Sequence, residues 1–291
     1  MIKKKTLNSP FAIIFFIILL LYSLSLVFPI VWAFLVSLKS GSEFTKSMML
    51  GITEFLRPPK VWQFKNYLDV FKNLKVRIGE NYLLLPQLFM NGFLYSIISA
   101  VIMVLTNCVV AYVVAKYDCV LSRSIYTLVI IFMILPVVGT LPSEIQIMRF
   151  LGFYDNMLGI YLMKIGFGGT NFLIMYAMFK SISWSYAEAA FVDGASHFRV
   201  FFTIMIPMAI PTFLALVLMQ FITFWNDWQA SLMYFPSYPT VSYALHVFES
   251  SHVSVPYIMT ACILVAAPVL ILFLTFRNKI VGTLAVGGLK G

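Results

Sequence analysis

The sequence predicts an all-α polytopic membrane protein that crosses the bilayer six times. Two observations carry this fold class. The 291-residue chain is 61% hydrophobic and only 11% charged, whereas a soluble domain carries about 25% charged residues. Its apolar runs also recur at lengths close to the ~20 residues that a helix needs to cross a bilayer. So few charges cannot cover so much apolar surface in water, and lipid must therefore be the solvent for much of the chain.

The first predicted span follows a basic N-terminus. Lys3, Lys4 and Lys5 precede an apolar run over about 11–36, which is about 39 Å long at ~1.5 Å per residue. The apolar region of a secretory signal peptide has only about 7–15 residues and ends at a small-residue cleavage site. Since this run is longer and lacks an Ala-x-Ala end, we expect it to be retained as a transmembrane helix.

Five more apolar runs are expected to be transmembrane helices. They cover about 87–115, 124–142, 169–183, 204–226 and 256–276. Pro136 and Pro142 are expected to kink or end the third span. Lys164 and three nearby glycines interrupt the run before the fourth span. A lead-in helix over about 156–165 is expected there, at the membrane interface or in the protein interior.

Six spans place both termini on one side of the membrane, taken here as the cytoplasmic side. The 20 lysines and arginines divide evenly between the two sides when all are counted. Eight of them lie in segment 39–86, and the bias toward basic cytoplasmic loops holds best for short loops near span ends. Without that segment the count is ten inside against two outside, which favours cytoplasmic N- and C-termini. The predicted organisation is an N-terminus (1–10), a first helix (11–36), an excursion (37–86), a core (87–283) and a tail (284–291).

The excursion is expected to lie outside the cytoplasm and to have a fold of its own. It contains Pro58-Pro59, several aromatic residues and mixed charges, a composition unlike that of a flexible linker. Two interpretations stay open. The segment either forms part of the docking surface for an external partner or caps the ends of the helices.

Several classes of function lack their signature residues. Cys108, Cys119 and Cys262 stand far apart, in or beside apolar runs, and are expected to be small buried hydrophobic residues. The sequence shows no Cys-Cys or Cys-His spacing typical of a metal site. It also shows no Ser/His/Asp set or carboxylate pair that suggests hydrolysis. An enzyme is therefore not expected.

Nucleotide and nucleic-acid binding are not expected either. The chain contains no Gly-x-x-x-x-Gly-Lys-Ser/Thr motif, so it should not bind ATP through a P-loop. Its net charge of +9 is attributed to topology and to contact with anionic lipid headgroups. His197, His246 and His252 are expected in solvated loops without companion metal ligands.

A polar stretch between the fourth and fifth spans, residues 184–207, carries the most specific pattern in the chain. Its first part is compatible with two turns of helix, because four residues share one face at spacings i, i+3, i+4 and i+7. They are Trp184, Ala187, Glu188 and Phe191. Glu188 offers a carboxylate to a basic partner residue. The small side chains of Ala189 and Ala190 permit close approach of a partner's backbone.

The end of this helix is also encoded in the sequence. Asp193-Gly194 is a break, since glycine freely takes the positive φ that terminates a helix, and the small Ala195 follows it. Ser196 is suited to cap the next helix. Pro207 stands near the start of the fifth span, where a helix tolerates proline. The pattern predicts a short, rigid helical hook on the cytoplasmic side.

The spacing of these residues resembles the EAA loop of the membrane subunits of binding-protein-dependent ABC importers. The matching positions are Glu188-Ala189-Ala190, Gly194, Ile204 and Ile206-Pro207. Residues 85–291 also resemble the smaller permease of maltose-type systems, in the carbohydrate-uptake branch of that family. The matching segments outside the loop are 91–96, 111–116, 135–142, 151–153, 225–228, 238–240 and 282–291. Gly288-Leu289 in the tail and Ile206 in the loop depart from the family's usual residues.

This resemblance implies a type I ABC importer permease fold and a division of labour among subunits. Two permeases, usually different chains, would form a pore, two P-loop ATPase subunits would bind ATP, and an extracytoplasmic solute-binding protein would deliver the substrate. The chain itself would hold no cofactor. The residues that would couple to the ATPase are Glu188, Ala189, Ala190, Asp193, Gly194, Ala195 and Pro207. The tail residues that would contact the ATPase are Gly287, Gly288, Lys290 and Gly291.

Four polar residues in or beside the spans are candidates for substrate contact or for a gate. They are Asn107, Asn171, Gln220 and Asn226. Polar groups inside spans are costly and tend to face a cavity or another helix. These residues either hydrogen-bond sugar hydroxyls or bond between helices. Trp225 and Trp228, at the outer end of the fifth span, belong either to an interfacial aromatic belt or to a gate or binding-protein contact.

The resulting prediction is a permease subunit in the cell membrane of a prokaryote that moves a carbohydrate, in particular an oligosaccharide, inward. A non-sugar solute such as a glycerol-phosphate-type compound uses the same architecture and stays an alternative. A second alternative is an autonomous secondary transporter. That class needs ionisable residues inside the spans and usually inverted repeats, and the spans show no obvious acid.

Overall fold

The computed structural model describes residues 10–135, 139–251 and 253–288, with side chains from residue 11 to residue 276 of these ranges. Within them the chain forms two compact units. The first comprises the described residues up to Leu74 together with Leu245–Ala267. The second comprises Lys75–Ala244 and the described residues from Pro268 onward. Of the residues named above, those outside the described part are Lys3, Lys4, Lys5, Pro136, His252, Leu289, Lys290 and Gly291.

The first unit is organised around the end of a long apolar helix, α1 (Pro10–Ser37). The most apolar window of α1 is not buried against the rest of the protein, as expected of a helix whose solvent is lipid. Three short helices follow: α2 (Gly41–Met49), α3 (Ile52–Phe55) and α4 (Lys65–Asn73). Parts of two later helices complete the unit: α14 (Val241–Ser250) and α15 (Val255–Gly288).

Side chains of α4 and α15 hold the last turn of α1. The Asn66 amide donates to the carbonyls of Ser37 (2.8 Å) and Lys39 (2.9 Å), and Thr260 Oγ1 donates to the same Ser37 carbonyl (3.1 Å). The hydroxyls of Ser37 and Tyr67 lie 2.9 Å apart. Carbonyls at a helix end have no partner within the helix, and these side chains supply one. The segment after α1 is therefore folded, as its composition predicts.

A β-hairpin makes the described fold not entirely helical. Strands β1 (Lys75–Ile78) and β2 (Asn81–Leu84) pair antiparallel, with Lys75 opposite Leu84. Gly79 opens the two-residue turn with φ of +57°, a conformation that favours glycine at this position of a hairpin. The all-α prediction misses the hairpin, although the alternation of charged and apolar residues along β1 is typical of a strand.

The second unit is a helical bundle built on α5 (Leu85–Lys116). α5 packs against α9 (Gly169–Ser181) and α12 (Ile206–Trp225), which also pack on each other. Small residues let membrane helices approach closely. Those that α5 buries include Gly92, Ser96, Ser99, Ala100 and Ala111. Large side chains fully or almost fully buried in the bundle are Tyr95, Phe172, Met175 and Phe221.

Shorter helices connect the members of this bundle. They are α6 (Val120–Ile134), α7 (Leu141–Phe150), α8 (Met157–Met163), α10 (Ser185–Val192), α11 (His197–Val200) and α13 (Trp228–Tyr234). α8 corresponds to the lead-in helix expected before the fourth span. A π-helical turn, Phe201–Met205, joins α11 to α12.

Four helices in the described part of the chain are long and apolar enough to cross a membrane. They are Phe11–Ser37, Leu85–Lys116, His197–Trp225 and Val255–Phe276. They correspond to the first, second, fifth and sixth predicted spans, although the fifth begins at His197 instead of 204. The other two predicted spans correspond to α6 and α9, with 15 and 13 residues, fewer than the ~20 of a full crossing. The count of six transmembrane helices therefore stays a prediction.

The predicted third span, 124–142, is divided between two helices. α6 ends at Ile134, and Leu135 is already extended, with φ of −72° and ψ of 120°. The residue before a proline prefers this conformation, and a proline follows Leu135 in the sequence. α7 begins at Leu141 with Pro142 in its first turn, where no intrahelical N–H is lost.

Candidate functional site

The hook (residues 184–196) consists of α10 and a turn that glycine terminates. Gly194 takes φ of +79°, which confirms the predicted positive φ. The Gly194 N–H donates to the carbonyl of Phe191 (3.0 Å), and the Ala195 N–H donates to that of Ala190 (2.9 Å). These two bonds form a Schellman motif, which satisfies carbonyls at the end of a helix. Backbone geometry therefore fixes where α10 stops and how the chain turns.

The chain leaves the hook through a second capped helix. The Ser196 hydroxyl accepts a hydrogen bond from the Arg199 N–H (3.4 Å), as predicted for an N-cap residue. From His197 the chain runs through the π-helical turn into α12. Pro207 lies in the first turn of α12, directly after that π-helical turn. In a π-helical turn the backbone hydrogen bonds join residues five apart instead of four. Here that change comes just before Pro207, which has no N–H to donate. One continuous helix thus starts at the hook.

Aromatic rings tie the hook to the end of α5. The ring centroids of Trp184 and Phe191 are 5.9 Å apart, and those of Phe191 and His197 are 4.7 Å apart. Tyr117, the residue after α5, packs at 5.7 Å from both Trp184 and His197. Its hydroxyl lies 2.8 Å from His197 Nδ1. His197 is exposed, which agrees with the predicted solvation, but it lies in the first turn of α11 and not in a loop.

A second layer of contacts extends from these rings into the bundle. Tyr112 of α5 packs against Phe179 of α9 at 5.4 Å and against Phe201 at 4.6 Å. Lys116, the last residue of α5, donates from Nζ to the carbonyl of Ile182 just before the hook. Close-packed interiors are stiff and transmit strain. These contacts connect the surroundings of the hook to α5, to α9 and to the π-helical turn before α12.

The face of the hook turned away from the bundle is exposed. Ala187 is completely buried, whereas Glu188, Ala189 and Asp193 are exposed. Ala190 and Ala195 are half-buried. Large apolar side chains exposed in and beside the hook are Tyr186, Val192, Phe198 and Phe202. Several exposed apolar side chains close in sequence to a carboxylate and small residues are typical of a protein interface.

A cluster of charged and phenolic groups lies at the opposite end of α5 and α12. Lys164 Nζ, after α8, lies 4.7 Å from the Phe224 ring centroid and 5.9 Å from that of Tyr95. The Tyr95 hydroxyl donates to Asp227 (3.4 Å), and Asp227 caps α13 by accepting from the Ala230 N–H (2.9 Å). Burial lowers the pKa of Lys164, against the opposing effect of the neighbouring carboxylates.

At this end, two carboxylates also accept hydrogen bonds that join the connecting segments to one another. Glu144 of α7 accepts a hydrogen bond from the Tyr234 hydroxyl (2.7 Å). Hydrogen bonds from Thr140 and Tyr234 hold the pKa of Glu144 below its usual value. Asp155 accepts from both the N–H (2.9 Å) and the hydroxyl (2.6 Å) of Ser237. We call Tyr95, Glu144, Lys164, Asp227 and Tyr234 the end cluster.

The residues at the end of α12 differ from an exposed aromatic belt. Trp225 is only 2% exposed and packs against Phe89 at 5.9 Å and Phe221 at 5.7 Å. Trp225 therefore belongs to the interior of the bundle. Asn226 is exposed, and its amide donates to the Ile222 carbonyl of the same helix (2.9 Å).

Asn107 lines a cavity of about 670 Å³ with mostly apolar walls from α5, α6 and the glycine loop 166–169. Its Nδ2 donates to the Met103 carbonyl (2.7 Å), and its Oδ1 accepts from the Gly168 N–H (2.8 Å). Both polar ends of this buried amide are thus engaged within the protein. The contacts agree with a role in fixing the glycine loop.

Two other candidate residues meet between helices. Gln220 Nε2 of α12 donates to Asn171 Oδ1 of α9 (3.2 Å), and Asn171 is buried. Of the four polar candidates, these two are brought together by a direct hydrogen bond. The bond agrees with the interhelical interpretation of this pair. In the tail, Gly287 and Gly288 are the last residues of α15.

Residues 108–282 match the family model described as the binding-protein-dependent transport system inner membrane component. This chain belongs to that family. The match contains the whole hook and the helix that leaves it. Together with the four long apolar helices, it makes the chain a multi-pass membrane component of a transport system, and not a member of an enzyme family.

Relatives of this transport component match along nearly its whole length. The diacetylchitobiose uptake system permease protein NgcG of Streptomyces coelicolor is 25% identical over 284 residues, which cover 95% of this chain and 88% of the relative. The arabinooligosaccharides transport system permease protein AraQ of Bacillus subtilis is 27% identical over 299 aligned positions, which cover 100% of both chains. The trehalose transport system permease protein SugB of Mycobacterium tuberculosis is 24% identical, over 90% of this chain and 92% of the relative.

A solved structure shows the same fold. It is the crystal structure of a bacterial ABC transporter involved in the import of the acidic polysaccharide alginate. One of its chains superposes with a TM-score of 0.70 at 23% identity, over 96% of this chain and 99% of that one. The helical arrangement of the transport component is therefore that of an ABC transporter chain.

Two parts of this site lie beyond the sequence predictions. The sequence predictions do not include the contact of Tyr117 with the hook or those of Tyr112 with Phe179 and Phe201, although Tyr117 lies just after the second predicted span. The sequence predictions mention Lys164 only as an interruption of an apolar run. A buried lysine is stabilised by acidic or aromatic neighbours. A lysine within an apolar stretch, such as Lys164, therefore predicts that such neighbours lie close to it in the fold.

Proposed function

We propose that this transport component is the permease subunit of an ABC importer that moves a carbohydrate, in particular an oligosaccharide, into a prokaryotic cell. The proposal includes six transmembrane helices, cytoplasmic termini and a cytoplasmic hook. A second permease, a different chain, completes the pore. Two P-loop ATPase subunits bind and hydrolyse ATP, and an extracytoplasmic solute-binding protein delivers the sugar. The chain itself holds no cofactor.

The hook is the observation that carries this proposal. Its outer face presents Glu188 and Ala189 within an exposed apolar surface, and its inner face is packed against the end of α5. Such an element has a surface for a partner and a stiff connection to the membrane helices. The role of the tail, including Gly287, Gly288, Lys290 and Gly291, as a second ATPase contact belongs to the same proposal.

The geometry supports a simple route for force. Closure of the two ATPase subunits around ATP draws the hooks of the two permeases together. Because Trp184, Tyr117 and His197 pack as one group, each hook moves the end of α5 and the start of the helix leading into α12 as a unit. That motion turns the pore outward to receive substrate, and ATP hydrolysis reverses it.

The carbohydrate class rests on the relatives. Their printed names refer to diacetylchitobiose, arabinooligosaccharides and trehalose, which are short saccharides. These names favour a sugar over a glycerol-phosphate-type solute. Of the polar candidates, Asn226 is exposed and accessible to an external ligand or to the binding protein, although its amide also donates to Ile222. Asn107, Asn171 and Gln220 bond to other segments of the protein.

The first experiment is purification of the tagged chain from its native membrane in mild detergent, followed by identification of the proteins that accompany it. We expect a second permease and a P-loop ATPase. Ala189→Trp adds a large ring to the exposed face of the hook and should reduce ATPase recovery about tenfold while retaining the second permease. Thr45→Trp, at an exposed residue of α2, is the matched control and should retain both partners.

Two results would count against the proposal. Full ATPase recovery with Ala189→Trp would mean that the hook face is not the contact surface. A stable, transport-active particle without an ATPase would reopen the autonomous carrier. The substrate class is tested separately by calorimetric titration of the co-purified binding protein with short saccharides and with glycerol 3-phosphate. Binding of glycerol 3-phosphate alone would replace the carbohydrate.

A further inference from the structure

A charged pocket lies in the first unit, just past the end of α1. It encloses about 340 Å³, roughly eleven times the ~30 Å³ that a water molecule occupies in the liquid. Four basic and two acidic residues line it, so the formal charge of its walls is +2. The charged lining residues are Lys39, Glu43, Lys46, Glu54, Arg57 and Lys60.

Both carboxylates of the pocket already have partners. Glu43 Oε1 accepts from the Lys60 backbone N–H (2.7 Å), and Glu54 forms an ion pair with Arg57 (2.5 Å). Within the described residues, the ammonium groups of Lys39, Lys46 and Lys60 form no ion pair. The pocket therefore holds more positive charge than its own carboxylates neutralise through contact.

Lys39 is the most unusual of these cations. The residue is 1% exposed, and its Nζ donates to the carbonyl of Phe55 (3.1 Å). An ammonium group has three N–H donors, so this bond leaves two for another acceptor. Burial lowers the pKa of Lys39, while Glu43 and Glu54 act in the opposite direction. A buried charge is costly unless it is paired, which makes an anion in the pocket favourable.

The position of the pocket indicates where such an anion comes from. Lys39 follows Ser37, the last residue of the first long apolar helix, so the pocket lies where a span ends and lipid headgroups begin. Beside it, the end of α2, the turn after it and the start of α3 expose four apolar side chains with no cover in the described structure. These are Met48 (66% exposed), Met49 (82%), Leu50 (61%) and Ile52 (73%). A cationic pocket next to exposed apolar residues matches a molecule with an anionic head and acyl chains.

We propose that this pocket binds the phosphate of an anionic phospholipid headgroup, with the acyl chains against the exposed apolar residues of α2 and α3. Basic pockets at the ends of membrane helices are a known mode of lipid recognition. In this arrangement the exposed Lys46 and Lys60 contact the lipid phosphate, and the buried Lys39 adds positive charge to the wall behind it. The lipid thereby fixes the first unit at the membrane surface. The proposal does not depend on which solute is transported.

The test is native mass spectrometry of the full-length chain in its complex, titrated with phosphatidylglycerol and, separately, with phosphatidylcholine. We expect tighter binding of phosphatidylglycerol. Lys46→Gln/Lys60→Gln changes two exposed residues of the pocket and should weaken that binding roughly tenfold or more. Lys65→Gln/Lys72→Gln removes the same charge from exposed positions of α4 outside the pocket and should leave it unchanged.

The titrations distinguish a lipid seated in this pocket from diffuse attraction and from a free anion. Equal loss of phosphatidylglycerol in both double variants would show diffuse surface attraction and overturn the proposal. Displacement of the lipid by excess inorganic phosphate alone would assign the pocket to a free anion and overturn the lipid occupant. Lys39→Met, which keeps the length of the side chain but removes the ammonium, should also weaken binding. If that variant does not fold, the surface double variant still decides.

Discussion

The two ends of α5 are built from different chemistry. At one end Tyr117 contacts Trp184 of the hook and Tyr112 contacts Phe201 after it through aromatic rings, and the hook's outer face is exposed. Tyr95 at the other end contacts Asp227 within the end cluster, where the polar groups bond to one another. Tyr95 and Tyr112 are about 26 Å apart along the helix at ~1.5 Å per residue. The hook end therefore has an exposed surface for a partner, whereas the polar groups of the end cluster are bonded to one another.

This difference indicates which end meets a partner and which end holds the bundle together. Packed aromatic rings form a stiff connection, and the outer face of the hook is exposed, so the hook end is suited to transmit motion from a partner. Charged hydrogen bonds depend on distance and angle, so the end cluster favours one arrangement of α5, α12 and the connecting helices. We therefore expect changes at the hook to affect transport most, and changes in the end cluster to affect stability most.

Gly194→Val is expected to have the largest effect of all. A β-branched residue at φ of +79° costs about 1–3 kcal/mol of backbone strain, which the chain relieves by opening the Schellman turn. Transport by the reconstituted complex should fall at least tenfold, and ATPase recovery with it. The variant should still reach the membrane.

Gly79→Val is the matched control for that change. Gly79 also has positive φ, +57°, and a Cβ added at either glycine meets no atom within 4 Å. The two variants therefore introduce strain without a steric clash, one in the hook and one in the hairpin turn. Transport should survive Gly79→Val. Equal transport by both variants would remove the distinction between hook and scaffold.

The hook is predictable because its signals are local. Gly194, Ser196 and the helical spacing before them act within a few residues, so a single sequence shows them. The end cluster depends on Tyr95 with Asp227 and Glu144 with Tyr234, pairs separated by 132 and 90 residues. No local pattern joins such pairs. The hairpin is partly predictable from the sequence. The alternation of charged and apolar residues along β1 is visible, but it is only four residues long.

The second prediction concerns the charge at the centre of the end cluster. Lys164→Met keeps the length of the side chain but removes the cation beside Phe224 and leaves the neighbouring carboxylates uncompensated. We expect a loss of about 1–3 kcal/mol in the free energy of unfolding, from a lost cation–π contact and unbalanced charge. The measurement is unfolding in mixed micelles. Transport by the surviving folded protein should change much less than with Gly194→Val.

Asp227→Asn sharpens this test, since asparagine still offers an oxygen to cap α13. In the Lys164→Met background it should recover part of the lost stability, with a coupling of at least about 0.5 kcal/mol. Strictly additive effects would mean that Lys164 and Asp227 act independently and that the end cluster is not one unit.

The third prediction concerns the amide pair that joins α9 to α12. Gln220→Leu removes the partner of the buried Asn171 and should cost about 0.6 kcal/mol, the average for a hydrogen bond between membrane helices. Gln220→Leu combined with Asn171→Leu should cost less than the sum of the single changes. Uptake KM should stay constant. A tenfold rise in KM with unchanged stability would instead establish these amides as substrate contacts.

The smallest expected effect is a pH dependence of the end cluster. Hydrogen bonds from Thr140 and Tyr234 hold the pKa of Glu144 below its usual value of 4.5. The unfolded carboxyl therefore takes up a proton first on acidification, so the stabilisation is present above pH 4.5 and is lost as the pH falls below it. Glu144 is partly exposed, so solvent screening keeps the contribution below about 1 kcal/mol.

Stability should fall less steeply between about pH 5 and pH 3 in Glu144→Gln than in the wild type. Tyr234→Phe, which removes one of the two donors, should give an intermediate slope, and a slope equal to that of the wild type would locate the acid sensitivity elsewhere.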